Sequence, residues 1–136
     1  MKPTQDETKT QALILPRGRA YNPWDHADAL GITVIERRLT TANELWVPDL
    51  NTIFLQSSLR ALHKRTALAH GIAHAELGHR DSRPKHEHQA DRYSSLYLIE
   101  PREFRDIARW ARDDRGIICA ELGITTRVLD AYLRPA

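Results

Sequence analysis

One cysteine, Cys119, stands in 136 residues, so the chain can close no disulfide upon itself. That usage fits a reducing compartment, and the short apolar run Gly116 to Ala120 around it reads as the setting of a buried packing thiol. No apolar stretch approaches the roughly 20 residues that a membrane span requires. The polar start MKPTQDETKTQ lacks the apolar segment of a signal peptide. Nor is there a surplus of one charge: 20 Lys and Arg against 18 Asp and Glu leave a formal net charge of +2, too little for a dedicated nucleic-acid binder, which concentrates a basic excess on one face. Repeats, low-complexity segments and interdomain linkers are missing as well. What these absences leave is a soluble cytoplasmic protein with enough chain to bury a core unaided. Residues 1–20 read as a polar tail and 21–136 as a single domain.

The elements follow from local signals. Asn22 is a natural N-cap and Pro23 suits the first helical position, so a short helix is expected from there to about Gly31. Three β-branched, apolar segments then read as strands: Ile32 to Glu36, Glu44 to Val47 and Asn51 to Gln56, with a turn at Pro48-Asp49. Ser57 or Ser58 is the expected cap of a helix running to about Gly78, and a loop, HRDSRP, separates it from another beginning near Lys85. Pro101 ends that helix or opens the next, PREFRDIARWARDD, whose Phe104, Ile107, Ala108 and Ala111 point to a core. The five arginines between 102 and 115 alternate with acids and read as a solvated face. Two short helices joined at Gly123-Ile124 close the chain; their rhythm is that of a helix-turn-helix, but the second carries little beyond Arg127 for reading a groove, and a packed pair is expected. Trp24, Trp46 and Trp110, in three separate elements, read as core or half-buried packing residues. The fold class is therefore α+β, a small antiparallel or mixed sheet against several helices.

Six of the seven histidines fall between residues 63 and 88, and His70 and His74 are the informative pair. Four residues along a helix leave two side chains about 40° apart on one face, so both imidazoles can reach one ion without bending the backbone. A catalytic zinc takes three protein ligands and keeps its fourth position open. Glu87 is the best third ligand, because a short loop and an antiparallel return bring it beside His74. His79 and His88 compete for that place: His79 points away from His74 unless the helix ends early, and His88 faces away from Glu87. His63 shares the side of His70 two turns off and is expected to line a cleft.

TALAHGIAHAELGH followed by HEHQADRYSSLYLIEP resembles the ImmA/IrrE family of phage and bacterial metallopeptidases, in which one helix reads like LAHELGH and a second like ExxADxFAxxLLxP. The resemblance spans roughly residues 24 to 101 and continues more loosely through the C-terminal helices. It implies a zincin-like core with zinc held by His70, His74 and Glu87, and Asp91 placed to orient a ligand histidine. It also implies a protein substrate, a transcriptional regulator or repressor in a phage or prophage setting, rather than nucleic acid or a membrane.

One residue departs from that pattern. In HExxH the glutamate takes a proton from the attacking water and returns it to the leaving amine, and here its position holds Gly71. No catalytic residue is assigned. Glu76 should face away from the metal as a surface carboxylate, Asp91 has its orienting role, and Glu44 on a neighbouring strand stays open. Catalysis is expected to be impaired or lost, and glutamate restored at position 71 to bring it back. A substituted protease, a pseudoprotease that captures its regulator, or a partner that supplies the base all fit. NTIFLQ is the expected edge strand on which a peptide would lie.

Overall fold

A computed structural model of the chain describes residues 15–135; most of the expected polar tail lies outside them. Asn22 caps the first helix, α1 (Pro23–Ala29), through its side-chain oxygen, which accepts from the backbone N–H groups of Trp24 and Asp25. Strand β1 (Thr33–Arg37) and strand β2 (Glu44–Val47) follow, then a 3-10 turn at Pro48–Leu50 and strand β3 (Thr52–Gln56). Asn51 makes the return in a left-handed conformation, φ 48°, which asparagine tolerates better than most residues.

The sheet is mixed, in the order β1-β3-β2. β1 runs parallel to β3, with Thr33 opposite Thr52, and β2 runs antiparallel to it, with Glu44 opposite Leu55. β3 is thus the central strand, which corrects the expectation that NTIFLQ lies at an edge. Its Ile53 and Leu55 are fully buried, and a strand this apolar is best accommodated with a hydrogen-bonded neighbour on each side. The edge beside the helices is β2.

Five more helices complete the described chain: α2 (Ala61–Glu76), α3 (Pro84–Leu98), α4 (Pro101–Trp110), α5 (Arg115–Leu122) and α6 (Thr126–Leu133). α2 begins later than either serine would place it. Residues 57–60 form the link from β3, held by Ser57 N–H to the Arg37 carbonyl, and Arg60 is the N-cap with no side-chain bond. α2 is a wedge. Ala67, Leu68 and Ile72 join Ala27, Ile32, Ile53 and Leu55 in a sheet-side core, whereas Ala69 meets Leu98, Ile118, Leu122 and Leu129 in a helical one. A helix buried on nearly all sides carries no polar stripe, which is why its alanines and glycine show so little periodicity.

Cys119 is buried in the helical core, and burial pushes its thiol up. Trp46 packs half-buried against the sheet-side core, but Trp24 and Trp110 are exposed, Trp110 at 69%, contrary to their reading as packing residues. The inward face of α4 is made by Phe104 and Ile107, with Ala108 and Ala111, and excludes position 110.

Behind α2, away from the histidine pair, lies a buried polar group. His26, fully buried, has Nδ1 2.7 Å from the Tyr21 hydroxyl and Nε2 3.1 Å from Glu76 Oε1, the latter too poorly aligned to count as a hydrogen bond. Tyr97 and Tyr93 hydroxyls donate to the same carboxylate at 3.3 and 3.4 Å. Glu76 does face away from the histidine pair, but it is a half-buried acceptor, not a surface carboxylate; α3 and α1 cover it. Desolvation, with the negative charge of Glu76 adding, holds all three tyrosines well above the ordinary phenol range. A raised folded value means that stability from these phenols is complete below the unfolded pKa of about 10 and falls as pH climbs beyond it. The urea midpoint is accordingly expected to drop between pH 9 and 11, and to drop less in Tyr97→Phe.

Candidate metal centre

α2 supplies His70 and His74, and α3, packed against it, supplies Glu87. The two Nε2 atoms lie 3.1 Å apart, and the Glu87 carboxylate reaches both, Oε2 3.1 Å from His70 Nε2 and Oε1 2.8 Å from His74 Nε2. Four residues of helix bring the imidazoles together as the sequence predicts, and the seven-residue link from Leu77 to Arg83 returns α3 alongside.

The outer nitrogens are bonded too. His70 Nδ1 lies 3.0 Å from Asp91 Oδ1, one turn along α3 from Glu87. His74 Nδ1 lies 2.9 Å from Nδ1 of His79, whose Nε2 is 2.8 Å from the carbonyl oxygen Oε1 of Gln89. With Gln89 accepting from His79 Nε2–H, His79 Nδ1 is left as a lone pair that accepts from His74 Nδ1–H. Both Nε2 lone pairs of the histidine pair are then turned to the same point, the arrangement by which metal-ligating histidines have their tautomer fixed.

His79 was missed as a partner, and its signal was local. α2 ends at Glu76, and Gly78 in a left-handed conformation (φ 72°) lets its N–H bond the Ala75 carbonyl while His79 N–H bonds that of His74. That is a Schellman close, which folds the residue after the glycine back over the helix; the LGH ending of the helix encodes it. Replacing His79 by alanine is expected to weaken metal binding 10–100-fold, the usual cost of losing such a partner, as read by competition with a chelator.

His79 and His88 hold no place in the convergence of Nε2 atoms: His79 stacks on His86 at 4.0 Å between centroids, and His88 Nδ1 takes a hydrogen bond from Arg134. His63 lines a cleft of about 460 Å³ together with Glu44, His70, Glu87, Asp91 and Arg127. Arg127 lies over the site from α6, its guanidinium donating to Asp91 Oδ2 at 3.1 and 3.2 Å and standing 3.6 Å from Glu87. The one cation of the last helix thus has an internal partner.

Charge explains the titration of the cluster. Burial opposes a charged His70, but the Asp91 hydrogen bond and the nearby Glu44 and Glu87 carboxylates outweigh it and raise its pKa. His74, lowered by burial and by the neighbouring His70, goes the other way. Burial likewise works against an ionised Asp91, yet His70 and Arg127 bring it below the usual carboxylate range. Glu44, at the start of β2, is pushed up to about 7 by burial, with Glu87 and Asp91 adding and His70 opposing. Its ligand atom and those of His70 and His74 lie within 4.8 Å of one another.

The profile of the IrrE N-terminal-like domain, peptidase M78, matches residues 27–134. Among solved structures, a Mycobacterium tuberculosis transcriptional regulator superposes with a TM-score of 0.63 at 18% identity, over 96% of this chain and 46% of that one. The likeness is one of fold, and this chain spans less than half the length of that regulator. No curated protein matches the chain.

Proposed function

The chain belongs to the IrrE N-terminal-like domain family, and we propose that its metallopeptidase-like site holds one zinc ion on His70, His74 and Glu87 and receives an extended segment of a regulatory protein. One observation carries the reading. Two imidazole lone pairs and a carboxylate converge with 2.8–3.1 Å between donor atoms, while tetrahedral zinc with bonds near 2.1 Å separates its ligands by about 3.4 Å. Three acceptors do not converge so closely in comfort unless a proton or a cation lies between them, and the bonded outer nitrogens favour the cation. Zinc supplies such a site with a polarised peptide carbonyl and a water of lowered pKa.

The chain's own groups do the rest. Arg127 tethers Asp91, Asp91 orients His70, and His79 orients His74. β2, the edge strand at the cleft, offers main-chain groups to a peptide laid beside it. Residues 21–136 act as a single domain, and the target is a repressor or other transcriptional regulator of a phage or its host, met in the cytoplasm. Among the described residues no helix is long and apolar enough to cross a membrane.

Gly71 offers no acid-base group, and the loss of a helix-borne glutamate reduces turnover about 10²–10⁴-fold. That favours, as a second reading, capture of the regulator without cleavage. Metal content tests the common premise. Protein purified without added metal is expected to carry about one zinc per chain, lost in His70→Ala. Absence of zinc from both, even after reconstitution, would leave a binding module with no metal chemistry.

A further inference from the structure

We propose that Glu44 is the proton-transferring carboxylate of this site, working from the edge strand in place of the side chain that Gly71 lacks. The inference rests on the zinc-site reading above and concerns a residue on a different element from the ligands. It begins from the space at Gly71. A Cβ built there would stand 3.1 Å from Glu44 Oε2, and 3.2 and 3.3 Å from the methyl carbons of Ile53. The place from which a helix-borne glutamate would extend is therefore tight, and the nearest atom crowding it belongs to a carboxylate. Glu44 Oε1 lies 3.9 Å from His70 Nε2 on the cleft side.

Other carboxylates near the helix are committed. Glu87 spans both histidines, Asp91 is held between His70 and Arg127, and Glu76 faces the tyrosines behind α2. Glu44 differs from them all. Its side chain is 13% exposed, yet among the described residues no donor hydrogen-bonds it and no lysine or arginine pairs with it. A carboxylate that is half-buried, faces His70 without a hydrogen bond and is open to the cleft is suited to a water, not to a structural bond.

Position on the strand adds a geometric reason. Glu44 opens β2, opposite Leu55 of the central strand, and a peptide lying along that edge would pass its backbone beside the carboxylate. In the reaction, the water oxygen bonds to the scissile carbonyl carbon as Glu44 takes the water proton. When the C–N bond breaks, Glu44 gives that proton to the leaving nitrogen and is a carboxylate again. Each proton taken is returned, so hydrolysis leaves the site unchanged. On this account glycine at 71 and glutamate at 44 are two halves of one exchange, since a side chain at 71 would crowd the strand carboxylate.

Acetohydroxamic acid tests the assignment without requiring the natural substrate, because it binds a metal as the hydroxamate and leaves a proton on the neighbouring base. The full chain is loaded with cobalt, and wild type, Glu44→Gln and His70→Ala are compared by their visible spectra. Glu44→Gln is expected to keep cobalt affinity within about twofold of wild type and its thermal midpoint, while acetohydroxamate binding weakens about tenfold or more, the loss of a proton acceptor. Hydroxamate binding that is unchanged overturns the proposal. So does a fall in cobalt affinity as large as in His70→Ala, which makes Glu44 a metal ligand. Cobalt bound by no form of the protein overturns the zinc reading beneath it as well. Glu44→Ala combined with Gly71→Glu is the second variant, expected to recover hydroxamate binding from the helix.

Discussion

Glutamate introduced at position 71 in the otherwise native chain is expected to lower stability and leave hydrolysis of an unfolded casein no higher than wild type. The new Cβ would sit 3.1 Å from Glu44 Oε2 and 3.2 Å from Ile53 Cγ2. Overpacking of that kind costs about 1–3 kcal/mol, and a second buried carboxylate beside Glu44 adds repulsion. Replacing Glu44 by alanine at the same time removes the carboxylate contact and the repulsion, leaving only the Ile53 contact to be relaxed. The double variant is then expected to exceed Gly71→Glu in thermal midpoint and to hydrolyse casein about 10²-fold faster than Glu44→Ala alone. The four proteins form a double-mutant cycle, and neighbours that compete for one space show coupling of about 0.5–3 kcal/mol. Strict additivity in stability and in rate would mean that the two positions do not share a role. The simple expectation from the HExxH pattern, that glutamate at 71 restores a protease by itself, is thus replaced by a paired one.

The largest loss of stability is expected at the opposite face of α2. Truncating Glu76 to alanine leaves the hydroxyls of Tyr93 and Tyr97 without their common acceptor and removes the carboxylate that stands 3.1 Å from fully buried His26. Leaving a buried hydroxyl without its acceptor costs about 1–3 kcal/mol; two lose theirs, and with the Glu76 side chain 13% exposed a total of about 3 kcal/mol is expected. Chemical denaturation measures it, and a loss below about 1 kcal/mol would show that water replaces the carboxylate freely. The effect should be smaller in Glu76→Gln, whose amide keeps an acceptor oxygen for the tyrosine hydroxyls. Metal affinity is expected to change little in either variant, because this group lies behind the helix and the ligand pair in front.

Much of this architecture was legible because it rests on short-range rules. Asn22-Pro23 marks a helix start by capping chemistry alone, Thr125 opens another by accepting from Val128 N–H, and the four-residue histidine spacing carries its own geometry. The three strands were readable from β-branching. Their order was not, because the pairing of β1 with β3 across an intervening strand depends on contacts distant in sequence. The same limit hid Glu44. Nothing within several residues of it signals a site; only the placement of β2 against α2 brings it to the histidines. Glu76 was misread for a related reason: helical angle gives direction, not what covers the face so directed. His79 is the exception, a missed residue whose signal, a glycine two residues past the end of the helix, was present locally.

The short link between α2 and α3 bears on the order in which the molecule assembles. Glu87 lies only 17 residues from His70, and the entropy of closing a loop grows slowly but steadily with its length. The helical hairpin can therefore gather its three donors while the sheet is still unformed, and an ion taken up then would hold the hairpin closed. Glu44 is then expected to arrive last, since β2 must find its place beside β3 before the strand carboxylate meets the helix. On the proposed reading, metal capture would precede reactive competence, and a partly folded chain would be loaded yet inert. A peptide spanning residues 61–98 should accordingly gain helicity on adding zinc, although it lacks the strand that completes the site.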